Sequence, residues 1–381
     1  MKRISTEPRP HWESKVEEVG LAFHHTPEGL YWDEGAHYEF TSGEVDLVER
    51  ATNELHEMCM AAAQHVIDHD RFDDLAIPPE AVPLIKLTWE EEPPAIYGRF
   101  DLAYDGKSPP KLLEYNADTP TSLLESSVVQ WFWLQDVHPE ADQFNSIHER
   151  LVAKWKELWD YLLAFPLYFA CTRGSIEDRV TVAYMQDTAE QAGILTSFIT
   201  VEDIGWDHAK REFVDLDGRT ITNLFKLYPW EWLLGETFGR YLIESHGQMQ
   251  WIEPIWKLLL SNKGLLPILW ELYPGHPNLL ETYLGEPRDM TSYVRKPIYS
   301  REGGNIRICS EGCTLQETDG DYGAEGFIYQ ELAPLPCFGD NYPILGSWVI
   351  DQESAGIGIR ETRTLITDNA SRFVPHLFVH T

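Results

Sequence analysis

The spacing of apolar residues changes several times along the chain, and each change predicts a different element. Residues 44–70 carry apolar side chains at helical spacing, with Glu44 near the start. Residues 80–92 predict a second, shorter helix. The period then falls to two. Residues 95–104 and 111–117 read as strands joined by the turn-rich DGKSPP. Helical spacing returns over 120–135 and 145–165, and the apolar run Tyr161–Cys171 reads as the buried end of the helix begun near Ser146. Pro166 interrupts that run, which is too short to cross a bilayer. The β-branched stretch RVTVAYM (179–185) predicts a strand, followed by a helix over 187–193 and a strand near Leu195–Thr200. This order predicts a small α/β unit with parallel pairing. Trp251–Leu260 and Gly264–Leu272 read as helices. From Tyr293 the chain turns β-rich, through YVRKPIYS, NIRIC, GFIYQEL, ILGSWVI and GIGIRE. A β-rich lobe after an α/β region fits a protein that clamps a ligand between lobes.

Composition narrows the class. With 381 residues, 43% of them hydrophobic, the chain can bury a large core in two or three structural units. Its 14 tryptophans argue against disorder. A formal charge of −32 repels nucleic acid and anionic membrane and attracts a cationic partner such as a polyamine. The opening MKRISTEPRPHW has no apolar segment of the secretory kind. The five cysteines (Cys59, Cys171, Cys309, Cys313 and Cys337) are too scattered for a disulfide framework. Both features lead to the expectation of a reduced, cytoplasmic protein.

The chemistry begins in the two strands of the first hairpin. Residues two apart on a strand share a face. Arg99 and Asp101 therefore lie together, as do Glu114 and Asn116, while Phe100, Leu113 and Tyr115 turn the other way. If the strands pair, one wall carries an arginine, two carboxylates and an amide. Such hard oxygen donors suit Mg²⁺. An arginine beside them equips the wall for phosphoryl transfer. A surface salt-bridge network and a glycosidase-type carboxylate pair fit the same residues.

A second group lies downstream. Lys296 shares a strand face with Val294 and Ile298, and a lysine on an apolar face needs an anion. It leads into the loop Ser300-Arg301-Glu302-Gly303-Gly304-Asn305, whose backbone N–H groups could approach phosphates, although an ordinary hairpin turn reads the same way. Lys263 precedes an apolar helix, Phe327–Leu332 reads as a strand leaving a lobe, and Arg360 ends a glycine-spaced strand.

The blocks GRFD, LLEYNAD, NLFKLYPWEW, SNKGLLPILWE, YPGHPNLL, KPIYSREGGNI, ELAPLP, GSW, GIGIRE and LITDNASRFVPH occur in that order. Together they resemble the C-terminal synthetase domain of the glutathionylspermidine synthase family. The resemblance spans residues 12–376. It implies an α+β fold of the ATP-grasp type, with a pre-ATP-grasp α/β unit and a β-rich C-terminal lobe. The expected subregions are a helical body with the hairpin (12–170), the α/β unit (171–250) and the ATP-grasp lobe (251–381). It also implies an ATP- and Mg²⁺-dependent ligase that joins a carboxylic acid to an amine through an acyl phosphate, releasing ADP and phosphate.

Residue by residue, the resemblance implies that Asp101, Glu114 and Asn116 hold magnesium, as a pair of ions in the family's manner, and that Arg99 and Arg360 act at the reacting groups. It assigns Lys263, Lys296, Gly303, Gly304, Gln330 and Leu332 to ATP, and Asp118, Thr119, Thr121 and Ser122 to the acid's pocket. Two departures stand out. Bifunctional members add an N-terminal amidase domain, for which this chain has no room, so no amidase activity is expected. The run Ala117-Asp118-Thr119-Pro120-Thr121-Ser122 replaces a Ser/Cys-rich run in members that use glutathione, which leaves the acid open. Two other readings stand beside the ligase: a nucleotide- or peptide-binding relative without turnover, and a carboxylate-pair hydrolase.

Overall fold

The computed structural model describes residues 1–368 and 370–380; Asn369, inside the LITDNASRFVPH block, and Thr381 lie outside the described residues. The helix expected over 44–70 forms as α1 (Ser42–Asp68). Its start is set by a capping box. Thr41 Oγ1 accepts from Glu44 N at 3.3 Å, and Glu44 Oε2 accepts from Thr41 N at 2.8 Å. These reciprocal bonds satisfy two donors the helix itself cannot. Next come α2 (Val82–Glu91), the strands β1 (Tyr97–Ala103) and β2 (Lys111–Asn116), α3 (Ile147–Leu158) and α4 (Ile176–Gln191). The strands β3 (Tyr293–Pro297), β4 (Phe327–Glu331), β5 (Tyr342–Ile350) and β6 (Glu353–Thr362) carry the later part of the site.

β1 and β2 pair antiparallel, with Arg99 opposite Asn116 and Asp101 opposite Glu114. The expected shared wall of arginine, carboxylates and amide is therefore present. On the other face Phe100 stacks on Tyr115, with ring centroids 3.8 Å apart. The five-stranded sheet runs in the order 372–374, β6, β5, β1, β2. β1 sits inside it, and all seven of its residues are buried. α1 packs across β5 and β6 and, with Phe100 and Tyr115, belongs to the larger of the apolar cores.

Three expectations fail, each for a physical reason. RVTVAYM is not a strand. It lies inside α4, which Ser175 caps by accepting from Asp178 N at 3.2 Å. The helix buries Thr181, Val182, Tyr184, Met185, Thr188 and Ala189, so helical burial overrides β-branched propensity. The α/β unit survives, shifted upstream. Its first strand is Leu167–Cys171, the run expected to end a helix. That strand lies between Thr196–Thr200 and Asn223–Leu227, parallel to both, and is buried along its whole length. Continuous apolar runs are what such a position demands, and Pro166 stops any helix before it. Trp251–Leu260 is likewise not a helix. Gln250–Ile252 adds a fourth parallel strand, and after Pro254 only a 3₁₀ turn (Ile255–Leu258) forms.

The β-rich end does not fold as one lobe. Thr282–Leu284, β4, β3, Arg307–Ser310 and Cys313–Glu317 form their own five-stranded antiparallel sheet. β5 and β6 leave it and join the hairpin sheet, with Gly346 opposite Asp101 and Arg360 opposite Ile344. His376–Val379 returns to pair in parallel with Ala36–Thr41, near the start of the chain. The expected 251–381 unit is thus divided between the lobe and the body. Long-range pairing of this kind leaves no mark on local spacing.

Phe100 is fully buried in the stack that anchors the hairpin. Phe100→Ala should lower the unfolding free energy by about 3–5 kcal/mol, measured by urea denaturation. A loss below about 1 kcal/mol would show that the stack does not anchor the hairpin.

Candidate active site

The middle of the site is a carboxylate. Asp101 is 5% exposed, and both its oxygens are taken by arginines. Arg99 Nε donates to Asp101 Oδ1 at 2.8 Å, and Arg360 Nη2 donates to Oδ2 from the far side of β5. The residue between them is a glycine. A Cβ on Gly346 would stand 3.0 Å from Arg99 Cδ, so the arginine side chain would have to give by a few tenths of an ångström. Arg99 Nη1 also donates to Thr121 O at 2.8 Å, and the guanidinium lies over the Trp348 ring at 5.8 Å. Burial works against the Arg99 cation, but Asp101 outweighs it and raises the arginine's pKa.

Glu114 lies beside this group. Lys263 Nζ reaches its Oε2 at 2.9 Å and donates to Ser300 O at 2.6 Å. Burial alone would raise the Glu114 carboxyl, but the ammonium groups of Lys263 and Lys296 win and hold it down at about 2. Lys296 donates to Gln330 Oε1 at 2.7 Å and to Leu113 O at 2.9 Å, both neutral oxygens. Burial lowers its pKa to about 8, with Glu114 resisting and Lys263 adding to the fall. Asn116 faces the same space, but its Oδ1 accepts from Thr119 N at 3.0 Å and from Asp118 N at 3.3 Å, which fixes the turn after β2.

Two cavities meet at Asp101 and Glu114. One is an apolar slot of about 120 Å³ between the lobe sheet and the hairpin. Leu113, Val294, Ile308 and Leu332 line it, and Lys296, Gln330 and Gly303 supply polar contacts. The other is a polar chamber of about 240 Å³, which receives Arg99, Asn116, Thr119, Thr121, Lys263 and Arg360. Gly303 belongs to both, held where a Cβ would stand 2.6 Å from Thr367 O, at φ +69°. Gly304 lines neither.

The residues expected at the acid's pocket part company in the structure. Thr119 and Thr121 line the chamber, whereas Asp118 and Ser122 do not. Asp118 is completely buried. It binds Lys226 Nζ at 2.6 Å and accepts from Trp230 N at 3.0 Å, so it holds the 226–230 segment in place. Ser122 is buried at φ +73°, and its carbonyl accepts from Ser126 Oγ at 2.9 Å. An alternating strand face does not extend past Asn116 into a turn, so neither orientation was legible from spacing.

The chamber also holds residues to which the sequence assigned no role. Arg301 donates to Thr119 Oγ1 at 3.0 Å and to Glu231 Oε1 at 2.6 Å. Glu177 and Asp178, in the first turn of α4, form another wall. Burial raises both carboxyls from their usual values, with Thr121 drawing Glu177 partly back and Ser175 doing the same for Asp178. Arg301 and Glu231 lie within the KPIYSREGGNI and NLFKLYPWEW blocks, a signal that could have marked them. Glu177 and Asp178 precede a stretch whose spacing reads as strand, which hid the helix start that presents them.

Among the described residues no three or more His, Cys, Asp and Glu side chains cluster as a metal site. The candidate metal donors are two carboxylates and an amide, Asp101, Glu114 and Asn116. This all-oxygen set has the chemistry that Mg²⁺ prefers. No helix among the described residues is long and apolar enough to cross a membrane.

Residues 3–379 match the family model described as glutathionylspermidine synthase preATP-grasp. A Haemophilus influenzae protein named "Putative acid--amine ligase" is 39% identical, with all of both chains covered. Trypanothione synthetase of Crithidia fasciculata is 29% identical over 84% of this chain and 53% of its own. The bifunctional glutathionylspermidine synthetase/amidase of Escherichia coli is 28% identical over 89% of this chain and 58% of its own. This chain thus spans little more than half of those two proteins. The solved structure of a glutathione synthetase-like effector from Globodera pallida shares the fold at a TM-score of 0.61, with 98% of both chains covered and 11% identity. From residue 3 to residue 379, this chain belongs to the glutathionylspermidine synthase preATP-grasp family.

Proposed function

We propose that the protein is an ATP-dependent carbon–nitrogen ligase that joins a carboxylic acid to an amine and forms ADP. The observation that carries this reading is the meeting of an apolar slot and a polar chamber at Asp101 and Glu114. A nucleotide base would occupy the slot, with Gln330 and Leu332 beside it, and the phosphates would point toward Lys296, Lys263 and Gly303. Lys296 is buried and its hydrogen bonds go to neutral oxygens, so a phosphate would supply the charge it lacks. The chamber would take both reactants. Arg99, Arg301 and Arg360 suit the acid and the transferring phosphoryl group. Glu177 and Asp178 suit a cationic amine, and the net charge of −32 favours its approach. The names of the relatives point to glutathione-like acids and polyamine-like amines.

The chemistry then follows in two steps. A carboxylate oxygen attacks the γ-phosphorus, the bond to the bridging oxygen breaks, and ADP leaves with that electron pair. The amine nitrogen next attacks the acyl carbon, the acyl–oxygen bond breaks, and phosphate leaves. Glu177, whose raised pKa brings it nearer to accepting a proton, is placed to take the one the amine loses. Arg99 and Arg360 offset charge building on the transferring group. Asp101, Glu114 and Asn116 would hold Mg²⁺, which when bound neutralises phosphate charge. No protein nucleophile is required. The same geometry would serve a binding relative without turnover or a hydrolase, but ADP release coupled to amide formation belongs to the ligase alone.

Three measurements test the reading. Hydroxylamine in place of the amine should trap the activated acid as a hydroxamate; ADP release that never yields hydroxamate would overturn the acyl-phosphate step. Arg99→Lys keeps the charge and loses the planar fork, and should cut hydroxamate formation by roughly two to three orders of magnitude, with ATP affinity little changed. Strongly weakened ATP binding with full turnover at saturation would move Arg99 to the nucleotide. The third measurement is of pH. The protonated Lys296 would bind phosphate, so ATP affinity should fall as pH rises above about 8 and the ammonium is lost. Lys296→Arg should remove that fall, since arginine stays charged; a fall that survives the substitution would place the titration elsewhere.

A further inference from the structure

The largest of the described cavities is not the candidate active site. About 720 Å³ lies on the reverse side of the β1–β2 hairpin, bounded by α1, α2, α3 and the 255–258 turn. That is the size of a small-molecule site. Arg99, Asp101 and Glu114 do not line it. Three features of its wall are independent of one another.

The first is aromatic surface. Trp89 and Trp256 stand edge to face with centroids 5.2 Å apart, and Tyr161, 65% exposed, flanks the opening. The second is charge. Glu91, Glu92 and Glu157 line the rim. The cations within reach are already taken: Lys257 Nζ binds Glu253 Oε2 at 2.6 Å and Tyr97 O at 2.7 Å, while Lys154 is paired with Asp351 and lies 3.7 Å from Glu157. Glu91 has His246 at 3.0 Å. Three lining carboxylates (Glu91, Glu92, Glu157) thus face two lining ammonium groups (Lys154, Lys257), which Asp351 and Glu253 already pair from outside the cavity wall. The third is an unsatisfied polar atom. His56 is 6% exposed; its Nδ1 bonds Tyr115 Oη at 3.2 Å, and its Nε2 has no partner. Burial, with Lys257 adding to it, lowers this imidazole to about 4, so it is neutral near pH 7. The Tyr115 hydroxyl can donate to Nδ1 or accept from it, so Nε2 offers an N–H in the first case and a lone pair in the second. An unpaired buried polar atom is costly unless something fills it.

We propose that this cavity is a second binding site, for a primary ammonium ion carried on an apolar body that ends in a neutral hydroxyl. The ammonium lies among Glu91, Glu92 and Glu157, the body against Trp89 and Trp256, and the hydroxyl at His56 Nε2. The opposite orientation would place the cation nearer Lys257, whose charge already lowers the His56 imidazole. Cation–π attraction from the tryptophans adds to the carboxylates' pull. The site does not depend on the ligase reading, since none of its requirements involves ATP.

Tyramine has all three parts and serves as the probe, in titration calorimetry with the full chain and no nucleotide. It should bind saturably, with 4-ethylphenol, which lacks the amine, at least about tenfold weaker. The surface substitutions Glu92→Gln and Glu157→Gln together should weaken tyramine at least about fivefold. Glu177→Gln, in the chamber, should leave its affinity within about twofold. The proposal fails if 4-ethylphenol binds as well as tyramine, if the double substitution has no effect, or if no saturation appears by about 10 mM, weaker than the ordinary range of such sites. Loss of binding in Glu177→Gln alone would move the amine to the chamber and also sink the second site. ADP release tests the ligase reading separately, so either idea can fall without the other.

Discussion

A carboxylate buried between two arginines is the interaction on which the rest of this site depends. Asp101 lies on an interior strand and is almost wholly buried, and removing either arginine would leave it partly unpaired. Keeping all three in place requires Gly346 to leave room for Arg99, Trp348 to lie beneath the guanidinium, and β6 to bring Arg360 across. The sheet is therefore arranged around this charge, and behind the hairpin's polar wall Phe100 stacks on Tyr115.

The lobe is fastened to the same hairpin by buried polar bonds. Lys296 reaches Leu113 O, and Gln330 Nε2 donates to Leu112 O at 3.1 Å. Each residue is also a wall of the apolar slot. A ligand there would meet the very groups that join lobe to body, so binding and the lobe's position are linked through one lysine and one glutamine. On the chamber side Arg301 makes the corresponding link, from the glycine loop to Thr119 and Glu231.

Much of this was legible because strand alternation is strict. The period of two around GRFD and LLEYN placed Arg99, Asp101, Glu114 and Asn116 on one wall, and the observed register agrees. The ordered blocks carried the family, which the match over residues 3–379 bears out. What failed did so where local preference and tertiary environment disagree. RVTVAYM has strand-forming residues, yet its burial is helical, and Leu167–Cys171 looks like a helix end, yet it is a central parallel strand.

The sequence by itself determined the family, the hairpin's polar wall and the long helix near residues 44–70, because each rests on near neighbours or on strict periodicity. Only the tertiary structure decided that β5 and β6 abandon the lobe for the hairpin sheet, since strand pairing across more than two hundred residues is written in no local pattern. It alone sent Asp118 inward to Lys226 instead of into the chamber, and brought Glu177, Asp178, Glu231 and Arg301 together there. A side chain's direction after a turn is set by which partner satisfies it once the chain is folded, and a buried charge takes the nearest opposite charge.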